Sequence, residues 1–203
     1  VVQRWQGLGH EVEVIDTGEL LRAHCPDLVG VIRERTTHLR PRRPNASAAI
    51  PKEIVAILFA DVKGYSKLAE EQVPLFVQRF MGMVAEVIGE SPFEPLAHNT
   101  WGDALYFVFP RVREAGLFAL ALCDRMRATN WEKEGLPAEL ALRIALHAGP
   151  AYRCRDRVTG MQTFVGAHVS RAARLEPVTP PNEVYTSSEY AALAASWRVR
   201  EFA

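Results

Sequence analysis

The sequence predicts an α+β domain with a ferredoxin-like βαββαβ core, preceded by a small N-terminal extension. Three observations carry this. Ile54, Val55, Ile57, Leu58 and Phe59 form a near-continuous apolar run of strand length that stops at Asp61, which reads as a strand covered on both faces. Two stretches with apolar residues at helical spacing follow, separated by a pair of apolar runs centred on Gly102 and Asp103. Finally, Leu140, Leu142, Ile144 and Leu146 alternate with Ala141, Arg143, Ala145 and His147, as in a strand with one strongly apolar face.

Taken in order, the strand ending at Asp61 leads into Gly64, which permits close backbone approach, and Ser66, a plausible N-cap. Val73, Phe76, Val77, Phe80, Met83, Val84 and Val87 place a helix over Gln72 to Gly89. Leu96 to Thr100 and Ala104 to Phe109 flank Gly102-Asp103, a hairpin signal. The spacing of Ala115, Phe118, Leu122 and Met126 predicts a helix over Val112 to Trp131, and Leu140 to Gly149 is the fourth strand. This order is the split βαβ pattern. Upstream, residues 1–39 read as a small α/β unit or the tail of another domain, with alternation at Glu11 to Ile15 and helical segments over Gly18 to His24 and Pro26 to Leu39. Residues 40–50 contain the Pro- and Arg-rich stretch Arg40 to Ser47, a linker whose basic run reads as a solvated connector or, alternatively, an arm for acidic partners. The main domain is placed at 51–203.

With 24 basic and 24 acidic residues, the chain has no net electrostatic pull toward nucleic acid or membrane. No run approaches the roughly 20 apolar residues that span a bilayer. Cys25, Cys123 and Cys154 are far apart without a C-x-x-C pair, so neither a disulfide framework nor a zinc knuckle is expected. A reduced, cytoplasmic setting is the default, and no signal peptide is read.

Asp61 alone reads first as stabilising a turn, with metal binding as the alternative. In the split βαβ topology, however, the third strand lies antiparallel beside the first, so Asp103 at its start meets Asp61 at the other's end. Two carboxylates converging beside backbone amides are a cation site, because without a cation they repel.

The segments FADVKGYS, NTWGDALYFVF, LRIALHAGPAY and FVGAHVSRAARLEP, in that order and spacing, resemble the class III adenylyl/guanylyl cyclase catalytic domain from about Glu53 to Ala203. The resemblance implies conversion of a nucleoside triphosphate, ATP first, to its 3′,5′-cyclic monophosphate and pyrophosphate by a head-to-tail homodimer with shared sites. It implies two Mg²⁺ or Mn²⁺ ions held by Asp61, Asp103 and the Val62 carbonyl. It also implies a phosphate-holding turn over Lys63, Gly64, Tyr65 and Ser66, and a phosphate contact from Arg143. Arg174 matches the arginine that meets transition-state charge from the other protomer, and Ser170 stands where the family has a ribose-orienting Asn. Asn99 and Thr163 match the base-reading positions. Asn99 replaces a common Lys and, as an amide, also suits guanine or a pyrimidine, so GTP or a pyrimidine nucleotide is the alternative substrate. A weak or inactive cyclase-like regulatory module is the other alternative, and the family's final strand pair and triphosphate-binding Lys are expected to be missing from these 203 residues.

For the neighbouring residues the plain readings are structural. His147 and His168 are assigned to packing, Tyr65 to packing over base contact, Trp101 to a core or interface aromatic, and Arg171 to a dimer salt bridge.

Overall fold

The computed structural model describes residues 50–197, so the predicted N-terminal unit, most of the linker and the last six residues lie outside the described residues. Strand β1 (Lys52–Lys63) leads through a 3₁₀ turn (Tyr65–Lys67) to helix α1 (Gln72–Glu90). The hairpin β2 (Ala97–Trp101) and β3 (Ala104–Phe109) follows, then α2 (Val112–Ala128) and the long β4 (Ala141–Arg155). Beyond it come β5 (Gln162–Val165), α3 (Ala167–Leu175), a second 3₁₀ turn (Glu176–Val178), β6 (Glu183–Thr186) and α4 (Ser188–Ser196). The sheet order is β2-β3-β1-β4-β5, antiparallel throughout, with β6 added parallel to β4.

The predicted core is therefore present, with β1 between β3 and β4. Its apolar run is continuous because both faces are covered. Ala56, Leu58, Ala60 and Val62 point to the side packed by Phe76, Phe80 and Val84 of α1 and by Phe118 and Leu122 of α2. Val55 and Ile57 point to a smaller cluster with Tyr106, Val108, Phe164 and Ala172 of α3. The first cluster is aromatic-rich: Phe76 stacks on Phe80 at 4.7 Å between ring centroids, and Phe107 meets Phe118 at 4.9 Å. Each such fully buried ring contributes about 2 kcal/mol of transfer free energy. Tyr190 of α4 joins the same core and donates its hydroxyl to the Val112 carbonyl.

One cap and two boundaries differ from expectation. Ser66 does not cap α1. Gly64 takes φ 99°, the left-handed region, and bonds from Lys67 N to Gly64 O and Leu68 N to Tyr65 O close a 3₁₀ turn, while α1 starts at Gln72 as its apolar spacing predicts. The second helix stops at Ala128, where Thr129 turns to extended backbone and its hydroxyl donates to the Arg125 carbonyl. Trp131 instead folds back into the core, its Nε1 donating to the Met126 carbonyl. Strand β4 continues past Gly149 to Arg155, because its far half pairs with β5 after the near half has paired with β6. No helix among the described residues is long and apolar enough to cross a membrane.

Candidate active site

The β1–β3 register pairs Asp61 with Ala104, and Asp103 sits in the two-residue turn just before it. Gly102 takes φ 65°, as a type II′ hairpin turn requires of its first central residue. On the other side, β4 pairs Arg143 with Asp61. Directly opposed residues of antiparallel strands share a face, so Asp61 and Arg143 project together on the side of the sheet away from α1 and α2. The Arg143 Nη2 donates to Asp61 Oδ2 at 2.6 Å. Its Nε lies 2.8 Å from Glu176 Oε1, a buried charge contact without the alignment of a hydrogen bond.

Electrostatically the site is crowded with carboxylates. Burial pushes the Asp103 carboxyl up, and Asp61 beside it adds both repulsion and a side-chain hydrogen bond in the same direction. Burial also raises the Glu176 carboxyl, with Arg143 pulling the other way and Asp61 and Asp103 adding repulsion. A cleft of roughly 300 Å³ opens beside the pair, walled by Asp61, Asp103, Arg143, Glu139 and the turn residues Val62, Lys63, Gly64, Ser66 and Lys67. The Val62 side chain is buried toward the helices, so what it offers the cleft is backbone.

Most of the predicted site residues thus meet at one place. Tyr65 does not line the cleft; it packs on Phe76 at 4.7 Å between centroids, as its structural reading anticipates. Asn99 and Thr163 lie outside the cleft, each beside Tyr106. Asn99 is the β2 partner of Tyr106, and the Tyr106 phenol, pushed up by burial, bonds the Thr163 side chain and donates to the Phe164 carbonyl. Gln162 Nε2 donates to the Leu96 carbonyl at 3.0 Å and closes β5 over β2. Ser170 and Arg174 are exposed on α3, and neither lines the cleft.

Glu176, Glu139 and Lys67 went unassigned in the sequence. Glu176 lies inside the quoted FVGAHVSRAARLEP segment, yet only the turn after α3 reveals that it faces Arg143. The two histidines have a partner that the strand pattern did not imply: each other. His147 Nε2 lies 2.8 Å from His168 Nδ1, and His147 Nδ1 lies 2.7 Å from the Ser187 hydroxyl, which also accepts from Tyr190 N to cap α4. Their structural reading stands, with burial holding the His147 imidazole below its usual value. A Cβ on Gly149 would come within 2.1 Å of the His168 ring, so glycine is required there. Arg171 pairs within the chain, with Glu189 at 3.0 Å, and Trp101 is half exposed on the hairpin, so it is not a core residue.

No protein-family model and no curated protein matches the sequence. Solved structures do. The adenylyl cyclase CyaB from P. aeruginosa superposes with a TM-score of 0.64 at 16% identity, over 72% of this chain and 82% of that one. The guanylate cyclase domain of RhGC from Catenaria anguillulae, in complex with GTP, gives 0.61 at 16% over 71% and 84%. The monomeric guanylyl cyclase domain of the RhoGC fusion protein from Blastocladiella emersonii gives 0.60 at 17% over 72% and 88%. The described domain therefore has the fold of the class III adenylyl and guanylyl cyclase catalytic domains.

Proposed function

We propose that this domain is a metal-dependent nucleotide cyclase that converts ATP to 3′,5′-cyclic AMP and pyrophosphate. The observation that carries the reading is the convergence of Asp61 and Asp103 at one end of the β1–β3 pair, beside Arg143 and the Gly64 turn. The donor set fits Mg²⁺ or Mn²⁺: two carboxylates and the Val62 backbone carbonyl are all-oxygen and hard, and the Asp103 carboxyl, raised first by burial and then by Asp61 beside it, sits against that second carboxylate. One or two protein carboxylates are enough when substrate phosphates complete the shell. When bound there, the cations neutralise the polyphosphate and lower the pKa of the 3′-hydroxyl.

The chain's own residues supply the rest. Lys63, Lys67 and Arg143 set three cations against Asp61, Asp103 and Glu139 in the cleft, a balance suited to a metal–polyphosphate pair rather than to either ion alone. The 3′-oxygen forms a bond to the α-phosphorus as the bond to the β-phosphate bridging oxygen breaks; pyrophosphate leaves with that electron pair, and the hydroxyl proton passes to solvent. Arg143 holds phosphate oxygens in place, and the exposed Arg174 of a second copy, docked head to tail, meets the charge that develops on the α-phosphoryl group. Ser170 of that copy steadies the ribose. Asn99 and Thr163 read the base edge from β2 and β5.

GTP is the second reading, left open by Asn99, whose amide donates and accepts and so pairs with either purine. Incubating the full chain with Mn²⁺ and each of ATP, GTP, CTP and UTP, then weighing the products, tests both. Cyclic AMP as the dominant product is expected; dominant cyclic GMP would move the assignment to the second reading, and no cyclic product from any of the four would overturn the cyclase reading.

A further inference from the structure

Asp61 already has a cation. Arg143 Nη2 sits 2.6 Å from Asp61 Oδ2, one of the two oxygens that this carboxylate could offer a divalent ion. The same guanidinium faces Glu176 on its other edge, Nε lying 2.8 Å from Glu176 Oε1 as a charge contact without hydrogen-bond alignment, and neither of these two atoms reaches solvent. The three side chains are mostly out of water, with 26% of Arg143, 25% of Asp61 and 13% of Glu176 exposed. At that burial the choice of partner matters: a guanidinium displaced from one carboxylate is costly unless another holds it.

We propose that Glu176 is a positioning residue for this site, holding Arg143 by its Nε edge so that Asp61 can pass from the guanidinium to a metal ion. This rests on the reading of Asp61 as a metal ligand. A cation arriving at Asp61 repels Arg143, whose Nη2 must leave. Because Glu176 keeps the Nε edge, the guanidinium is not stranded; its freed edge stays beside the cleft, where phosphate oxygens replace the lost carboxylate. Without Glu176, Arg143 turns to Asp61 and Asp103 to neutralise it and competes with the metal for them. Glu176 also contributes one negative charge near both aspartates.

The test reads metal binding without turnover. In nucleotide-free full chain, Mn²⁺ binding is followed by loss of the free-ion electron paramagnetic resonance signal, with melting curves run in parallel. E176Q should raise the Mn²⁺ Kd by roughly 10-fold, the low end of what supporting residues contribute at metal sites. E176D restores the charge and should return most of that affinity, while R143A removes the competing cation and should tighten Mn²⁺ binding. In the cyclase assay E176Q should raise the Mn²⁺ concentration needed for half-maximal rate more than it lowers kcat. An unchanged or tighter Kd in folded E176Q, or weaker Mn²⁺ binding in R143A, overturns the proposal. If E176Q does not fold, E176D and R143A carry the test, and an R143A Kd equal to wild type overturns it. Wild-type protein that binds no Mn²⁺ overturns the metal reading along with it. Wild-type protein that binds Mn²⁺ yet makes no cyclic product overturns the cyclase reading alone, since the Kd series still reads out.

Discussion

Two pairing registers, β1–β3 and β1–β4, bring Asp61, Asp103 and Arg143 together, and at the residue scale β4 carries a second polar device four positions on from Arg143. His147 is buried between the Ser187 hydroxyl and His168, with Glu189 at 4.0 Å and Arg171 beyond it. Burial lowers its pKa from 6.5, His168 and Arg171 push the same way, and Glu189 pushes back. The sign of the linkage follows. Below 6.5 the unfolded chain takes a proton that the folded chain resists, so stability rises with pH, is fully present above 6.5, and is lost as pH falls through the window from 6.5 down to the lowered folded value. The melting temperature should therefore be flat above that window and fall within it, and His147→Gln should flatten that part of the slope. Equal slopes in the two proteins would remove His147 as the source.

Glu176 shows which residues were legible in the sequence and which were not. Asp61 and Asp103 could be paired in advance because strand order and hairpin position fix their meeting, whatever the side chains do. Arg143 could be placed because alternation in β4 sets its face. Glu176 could not, since its contact depends on where a three-residue turn after α3 sets down.

At the scale of elements, the apolar patterns located β1 to β4, α1 and α2, while the short pieces escaped. β6 is four residues with none buried, and α4 is short, with four alanines among its 9 residues, so neither offers a periodic contrast to read. Ser66 misled as a cap because Gly64 uses the left-handed region to start a 3₁₀ turn first. Helix α3 has its own requirement. His168, in its first turn, lies against β4 only because Gly149 has no side chain, and a Cβ there would overlap three ring atoms within 2.6 Å. Gly149→Ala should thus displace α3 and with it Ser170 and Arg174. We expect a loss of about 1 to 3 kcal/mol in denaturant unfolding, the usual cost of overpacking, together with a fall in cyclase rate. Replacing His168 with Ala in the same chain should recover most of the stability; failure of that double variant to recover would mean the clash is not with the imidazole.

At the scale of the molecule, the cleft and the arginine assigned to it are on different parts of one copy. Asp61 and Asp103 line the cleft, whereas Arg174 is exposed on α3 and does not. A second copy docked head to tail would bring its own α3 to the first copy's cleft and close two equivalent sites, the isologous arrangement that twofold dimers favour. The fold was legible from six of the ten strands and helices described. The proposed shared site rests on the family resemblance instead, because nothing in one chain's periodicity states what a second chain covers.

The central claim is that metal carboxylates of one copy and Arg174 of another act on one nucleotide, and the most direct measurement is cyclic nucleotide formation by Asp61→Ala, by Arg174→Ala, and by the two mixed and re-associated. Each variant alone should lose activity by orders of magnitude while remaining folded, and the mixture should regain up to about one quarter of the wild-type rate, since random pairing makes half the dimers mixed and each mixed dimer has one intact site. Wild-type activity in Asp61→Ala, or no recovery in a mixture whose heterodimers are demonstrated by mass, would contradict the account.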